Sequence, residues 1–340
     1  MNISQKIDAF VQLGLRLQQL SPETRALLYK RIEQENPWFT PESLDFALAG
    51  IGRFLDAEAL AKWVSAYPSL AQARQQPKRI GVIMAGNIPA VGFHDFLSVL
   101  LSGHQLQAKL SSQDSLLLPF IASQLLEIAP DFAPYIQWVE RLEQPDAVIA
   151  TGSDNTYRYF EHYFGQYPHI LRRNRVSCAV LDGNESAQDL QALAEDVFRY
   201  FGLGCRNVAK LFVPKGYSPV MLLDNFEHWN HLAHHNKYMN NYSYRRSVLL
   251  INQLHHWDNG FLLLREDETL TSHIGVLHLG YYEDDAALDS QLRAQADKLQ
   301  CVVSRQGYWP NSLPLGTAQT PVLEDYADGI DTLEFLIGLS

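Results

Sequence analysis

Cysteine is scarce in this chain: three residues in 340, Cys178, Cys205 and Cys301, with no CxxC pair. That excludes a disulfide-stapled fold and the common zinc-cage spacings, and it fits a reducing compartment, so a cytoplasmic location is expected. Positive charge is short as well. Lysine and arginine number 27 against 38 acidic residues, a net charge of −11, which leaves no basic field for nucleic acid or an anionic membrane. Long apolar runs are missing: the opening stretch MNISQKIDAFVQLGLRLQQL is interrupted by Lys6, Asp8, Gln12, Arg16 and Gln18, so it reads as neither a signal-peptide core nor a membrane span. No GxGxxG follows any strand-like run, so the ordinary dinucleotide fingerprint is lacking. His231, His234 and His235 stand at i, i+3 and i+4, but no partner Glu or Cys completes a motif, and no metal is expected.

What is present is enough for two domains with real cores. Residues 1–75 read as helices: Ile7, Phe10, Val11, Leu17 and Leu20 recur at roughly helical spacing, and Ser21-Pro22-Glu23 and Thr40-Pro41-Glu42 have the order of a cap, a first-turn proline and an acid. From Lys78 strands alternate with helices. RIGVIM (79–84), QLQAKL (105–110), 136–142, AVIA (147–150) and 178–181 read as strands; 90–101, 112–128, 154–164 and 187–201 read as helices. That alternation implies crossovers and a parallel sheet covered on both faces, a doubly wound α/β domain over residues 76–203. A second α/β domain is expected over 204–310, with strands at 211–214, 247–251, 260–265, 274–282 and 301–303. Residues 311–340 are expected to return to the core and end in a short amphipathic helix.

The stretch YFGLGCRNVAKL (200–211) sets Cys205 between Gly202 and Gly204 on one side and Arg206 and Lys210 on the other. A thiol on a glycine-flanked turn near two cations has the setting of a nucleophile, against the ordinary alternative of a small buried residue. Cys178 and Cys301 sit in strand-like runs and read as quiet core cysteines. At the end of RIGVIM, the turn Ala85-Gly86-Asn87-Ile88-Pro89 lies where doubly wound sheets bind ligands. Asn87 is then either a turn residue bonded to its own backbone or a donor to an oxyanion. Lys109 leaves the next strand, and Thr151-Gly152-Ser153 opens a helix whose N–H groups suit an anion.

Taken in order, AGNIPAVGFHDFLSVLLSGHQLQAKLSS, ATGSDNTYRYFEHYF and RVSCAVLDGNESAQDLQALAEDVFRYFGLGCRNVAKLFVPKGY resemble the aldehyde dehydrogenase superfamily. The GLGCRN setting and the ending LPLGTAQTPVLEDYADGIDT resemble its acyl-CoA reductase branch, related to the fatty-acid reductases of bacterial bioluminescence. The resemblance covers about residues 75–335 and implies an aldehyde-dehydrogenase-like fold. It implies NADPH-dependent reduction of an acyl-CoA thioester to an aldehyde, Cys205 accepting the acyl group and Asn87 with the Cys205 N–H forming the oxyanion hole. It also implies that Lys109 holds the adenosine ribose, that Thr151, Gly152 and Ser153 line the pyrophosphate and nicotinamide, and that Glu268, with Glu266 as the neighbouring candidate, binds a ribose. Ser112 stands where NAD-preferring members often carry a glutamate that repels a 2′-phosphate, which admits NADPH, with NADH as the alternative. Near Leu171, where oxidative members keep a water-activating glutamate, the chain reads LRRNRV, which suits a reductase. The open alternatives are another acyl donor such as an acyl phosphate, or a non-catalytic subunit serving an acyl-transferring protein partner. Homo-oligomerisation is common in the family.

Overall fold

A computed structural model of the chain describes residues 1–72, 76–152 and 154–339. The chain divides into two compact units, one of residues 1–174 with 321–340 and the other of residues 175–320.

The first unit opens with four helices, α1 (Ile3–Gln18), α2 (Pro22–Glu35), α3 (Pro41–Phe54) and α4 (Ala57–Ser65). Their starts are chemically specified. Asn2 and Gln5 form a reciprocal capping box, Ser21 accepts the Thr24 N–H, Thr40 accepts that of Ser43, and Asp56 accepts two at the head of α4. Phe10, Leu13, Leu17, Leu44, Leu48 and Trp63 are buried from these helices in the same core as the sheet that follows.

That sheet contains β1 (Arg79–Ile83), β2 (Gln105–Lys109), β3 (Ile136–Trp138), β4 (Ala147–Thr151) and β5 (His169–Arg172), linked through α5 (Phe93–Leu101), α6 (Leu117–Ile128) and α7 (Asp154–Phe164). Its order is β3-β2-β1-β4-β5 and its ladders are all parallel. The winding reverses between β1 and β4, the switch point at which open α/β sheets bind ligands. Strand β5 falls within a stretch whose arginines disguise it: Arg172 is buried because it forms a bidentate pair with Asp95 of α5 (2.7 and 2.9 Å) and donates to Thr332 (2.8 Å). Thr332 begins the last helix, α12 (Thr332–Ile337), which Asp331 caps. Tyr326 accepts from the Trp63 indole at 2.7 Å, and the Tyr67 hydroxyl donates to Asp331 at 2.6 Å, tying the returning segment to the helical region.

The second unit carries β6 (Val176–Val180), α8 (Ala187–Phe198), β7 (Val208–Pro214), α9 (Val220–Asn225), α10 (Asn236–Ile251), β8 (Trp257–Asp258), β9 (Leu263–Glu266), β10 (Val276–Tyr282), α11 (Asp285–Ala294), β11 (Leu299–Ser304) and β12 (Leu313–Pro314). Its sheet runs β12-β11-β6-β7-β10-β9-β8 and is parallel except where β8 meets β9.

Two expectations need correction. Residues 247–251 end helix α10 rather than forming a strand: Tyr238, Tyr242 and Leu249 share its buried side, while Leu250 and Ile251 are exposed, so helical continuity overrides a local β-branched run. The seam lies at 174–175 and not after 203, because β6 and α8 join the second sheet through pairing with β7 and β11; of the C-terminal segment, residues 321–340 return to the first unit while 311–320 stay with the second. Among the described residues no helix is long and apolar enough to cross a membrane.

Candidate active site

Five of the residues singled out above lie along one edge of the first sheet. Asn87 follows β1, Lys109 ends β2 with Ser112 just beyond it, and Thr151 ends β4 with Gly152 next; in a parallel sheet these are all carboxyl ends. Ser153 lies outside the described residues. Asn87 and Ser112 are exposed, and the exposed Lys109 donates from its ammonium to the Glu140 carbonyl at 3.0 Å. The Asn87 turn lies against the segment after β2 so closely that a Cβ on Gly86 would fall 2.5 Å from the Ser111 hydroxyl. Beyond it, Ala90 takes a left-handed conformation (φ 52°) and gives its N–H to the buried Asp114 carboxylate at 2.7 Å. Burial pushes that carboxyl up to about 6. Gly152 is equally confined, since a Cβ there would meet the Phe160 ring at 2.8 Å. Both glycines let the backbone pack directly against these neighbouring side chains, which fixes the two turns at this edge. Strand β5 contributes Leu171 and the ion-paired Arg172.

In the second unit the half-buried Cys205 lies on a turn between α8 and β7. The approach to it is unusual. Tyr200, Phe201 and Gly202 are successively left-handed (φ 54°, 59° and 76°), a conformation that costs roughly 1–2 kcal/mol for a residue with a Cβ. The turn is tied at several points: the Gly204 N–H donates to Asn207 Oδ1 (2.7 Å), the Asn207 N–H to the Gly204 carbonyl (3.0 Å), and the Ser177 hydroxyl of β6 to the Cys205 carbonyl (3.0 Å). Arg206 reaches the Ala318 carbonyl (3.4 Å), and the N–H groups of Gly316 and Ala318 are held by the buried Asp196 carboxylate of α8. The sequence gives no warning of Asn207 or Ser177 beyond their closeness to the cysteine and the strand. Of the other thiols, Cys178 is buried on β6 and its pKa is driven up by burial. Cys301 on β11 is half-buried, 3.1 Å from the Ser177 hydroxyl and pushed up to about 11, again chiefly by burial.

Lys210 does a different job from the one its spacing suggests. It points inward from β7, only 2% exposed, and its ammonium donates to the carbonyls of Asp267 (2.9 Å) and Glu268 (2.8 Å) rather than standing as a solvated cation. Burial lowers its pKa. The exposed side chain of Glu268 thus belongs to a loop pinned from beneath, with Glu266 exposed at the end of β9. Cys205 precedes β7 and Glu268 follows β9; both strands run parallel to β10, so the two residues leave opposite ends of the sheet. His235 accepts the Tyr238 N–H and stacks on Phe201 (4.3 Å between ring centroids), while His94, in the first unit, is half-buried with its ring nitrogen 2.9 Å from the Leu323 carbonyl.

Residues 55–221 match the acyl-CoA reductase (LuxC) family. No curated protein matches the chain in sequence. Among solved structures the chain is similar to an indole-3-acetaldehyde dehydrogenase of P. syringae crystallised with NAD+ (13% identity, TM-score 0.65, covering 92% of this chain and 74% of that one). It is also similar to an NAD-dependent benzaldehyde dehydrogenase of Corynebacterium glutamicum (12%, 0.64, 89% and 76%) and to proline utilization A (13%, 0.66, 90% and 36%). At such identities the likeness speaks for the fold, which is that of the aldehyde dehydrogenases.

Proposed function

Residues 55–221 place this chain among the LuxC acyl-CoA reductases, oxidoreductases that take an activated acyl group to the aldehyde, and on that premise we propose that it reduces an acyl-CoA thioester with NADPH through an acyl group carried on Cys205. The observation that carries this reading is the Cys205 turn: the family-matched segment contains a half-buried thiol on strained, multiply tied backbone. Conformational strain held in place by surrounding bonds is characteristic of reactive positions.

The carboxyl edge of the first sheet suits a dinucleotide. It is the carboxyl end of a parallel sheet at its switch point, the Thr151–Gly152 turn leads into α7, and Lys109 offers an ammonium at the end of β2. We assign Lys109 to the adenosine ribose and Thr151, Gly152 and Ser153 to the pyrophosphate and nicotinamide side; Glu268, which leaves the end of its sheet opposite to Cys205, is not assigned to the ribose beside the reacting ring. The neutral Ser112 leaves a 2′-phosphate unopposed, which favours NADPH over NADH. A reduced nicotinamide bound there supplies the hydride. The chain's own contribution is to present the thiolate, to meet the tetrahedral oxyanion with the Asn87 amide and the Cys205 N–H, and to keep a water-activating carboxylate away from the acyl group. Loss of one oxyanion donor costs about 10²- to 10³-fold in rate. The departing coenzyme A is a stable thiolate and calls for little acid assistance.

The test is a scan of the purified chain with acyl-CoAs of increasing length and with acyl phosphates, following NADPH and NADH oxidation and aldehyde release. Acyl-CoA-dependent aldehyde formation, faster with NADPH, is expected. Turnover of acyl phosphates alone would refute the thioester assignment, and cofactor binding without turnover of any acyl donor would point to a non-catalytic subunit.

A further inference from the structure

We propose that Asn207 is the positioning residue of the nucleophile, holding the left-handed Tyr200–Gly202 turn in the one arrangement that delivers Cys205; this rests on the role given to Cys205 above. Helix α8 ends at Phe198 and β7 begins at Val208, so the chain has nine residues in which to leave a helix, reverse and enter a strand. It does so through three consecutive left-handed residues, of which glycine alone adopts that shape freely. Left-handed residues normally occur singly. The run therefore persists because something outside it compensates.

Asn207 is placed to do so. Its side-chain amide faces the carbonyls of Asp196 (3.1 Å), Val197 (3.3 Å) and Arg199 (2.8 Å), which belong to the end of α8, where carbonyls have no partner within the helix. Its Oδ1 accepts the Gly204 N–H at 2.7 Å, and its own N–H returns to the Gly204 carbonyl at 3.0 Å. One buried side chain, 3% exposed, thus grips both feet of the loop, Arg199 on one side and Gly204 on the other, with Cys205 the next residue. Few replacements can do this. Aspartate has no N–H to give the three carbonyls, and alanine or serine cannot span from Gly204 to Arg199. The Phe201 ring on His235 and the Ser177 hydroxyl on the Cys205 carbonyl then fix the flanks.

The rival is that Asn207 is a helix cap that contributes stability and nothing else. The two differ in the folded enzyme. Asn207→Ala, Asn207→Ser, Tyr200→Gly and the Asn207→Ala/Tyr200→Gly double variant of the full chain are compared with wild type for kcat, KM for acyl-CoA and thermal midpoint, with Cys205→Ala in parallel. If Asn207 positions the thiol, Asn207→Ala loses roughly 10- to 100-fold in kcat per folded molecule, KM stays close to wild type, and glycine at 200 recovers part of kcat by making the turn easier to adopt. Asn207→Ser carries the same test where the alanine variant does not fold. Wild-type kcat per folded molecule in either variant, with only a lowered midpoint, would overturn the proposal, as would the absence of any recovery from Tyr200→Gly. Undiminished turnover by Cys205→Ala would instead remove the nucleophile assignment itself, whatever Asn207 does.

Discussion

Replacing Asp196 by asparagine should make the stability difference from wild type depend on pH, by an amount that follows from where the carboxylate sits. Asp196 is 0% exposed, and its oxygens accept the N–H groups of Gly316 (2.6 Å) and Ala318 (2.9 Å). Burial outweighs those two bonds and pushes the carboxyl from its ordinary 3.8 up to about 7. Between those values the folded chain keeps a proton that the unfolded chain has released. Its stability contribution is therefore complete below the unfolded value and is lost as pH rises through the folded one, at up to about 1.4 kcal/mol per pH unit. From pH 5 to 7 that amounts to roughly 3 kcal/mol. Asparagine does not titrate, so the advantage of wild type over Asp196→Asn should shrink by about that much and level off above pH 7. Urea unfolding of both proteins at pH 5, 6, 7 and 8 measures the difference. A difference that stayed constant, or grew with pH, would show that the carboxylate is ionised in the folded chain throughout and that burial does not govern it.

The Arg172–Asp95 pair is buried on both sides, so Asp95→Asn strands a guanidinium and should cost about 3–5 kcal/mol, a fall of roughly 10 °C in the unfolding midpoint. The joint replacement Asp95→Leu with Arg172→Met should lose much less, and equal losses would contradict the explanation. Lys210→Met removes the donor beneath Asp267 and Glu268; a loss of about 2–4 kcal/mol in urea unfolding is expected, whereas wild-type stability would show that the two carbonyls find other partners.

Much of the architecture is legible in the sequence because local and long-range signals agree. The caps at Ser21 and Thr40, the strand RIGVIM ending in a glycine turn, and the periodicity of α1 each specify their element independently of the rest. Where reading fails, tertiary structure outvotes the local pattern. The arginine that hides β5, Arg172, is explained by Asp95 and Thr332, 77 and 160 residues away along the chain. SVLLI has strand composition but continues a helix whose buried face was set ten residues earlier. Lys210 reads as a cation beside the thiol because spacing along the chain says nothing of a strand's inward face. The turn that carries Cys205 is legible from its glycines, but the bonds that Asn207 and Ser177 make to it are not, since they depend on a reversal of backbone hand that no residue type announces.

The most direct test of the account is the mass of the intact chain after incubation with an acyl-CoA in the absence of reduced nicotinamide. An increase of one acyl group that maps to Cys205, disappears on adding NADPH as aldehyde forms, and is missing in Cys205→Ala is the predicted result. No adduct in wild type, or an adduct confined to Cys178 or Cys301 with turnover retained by Cys205→Ala, would contradict it.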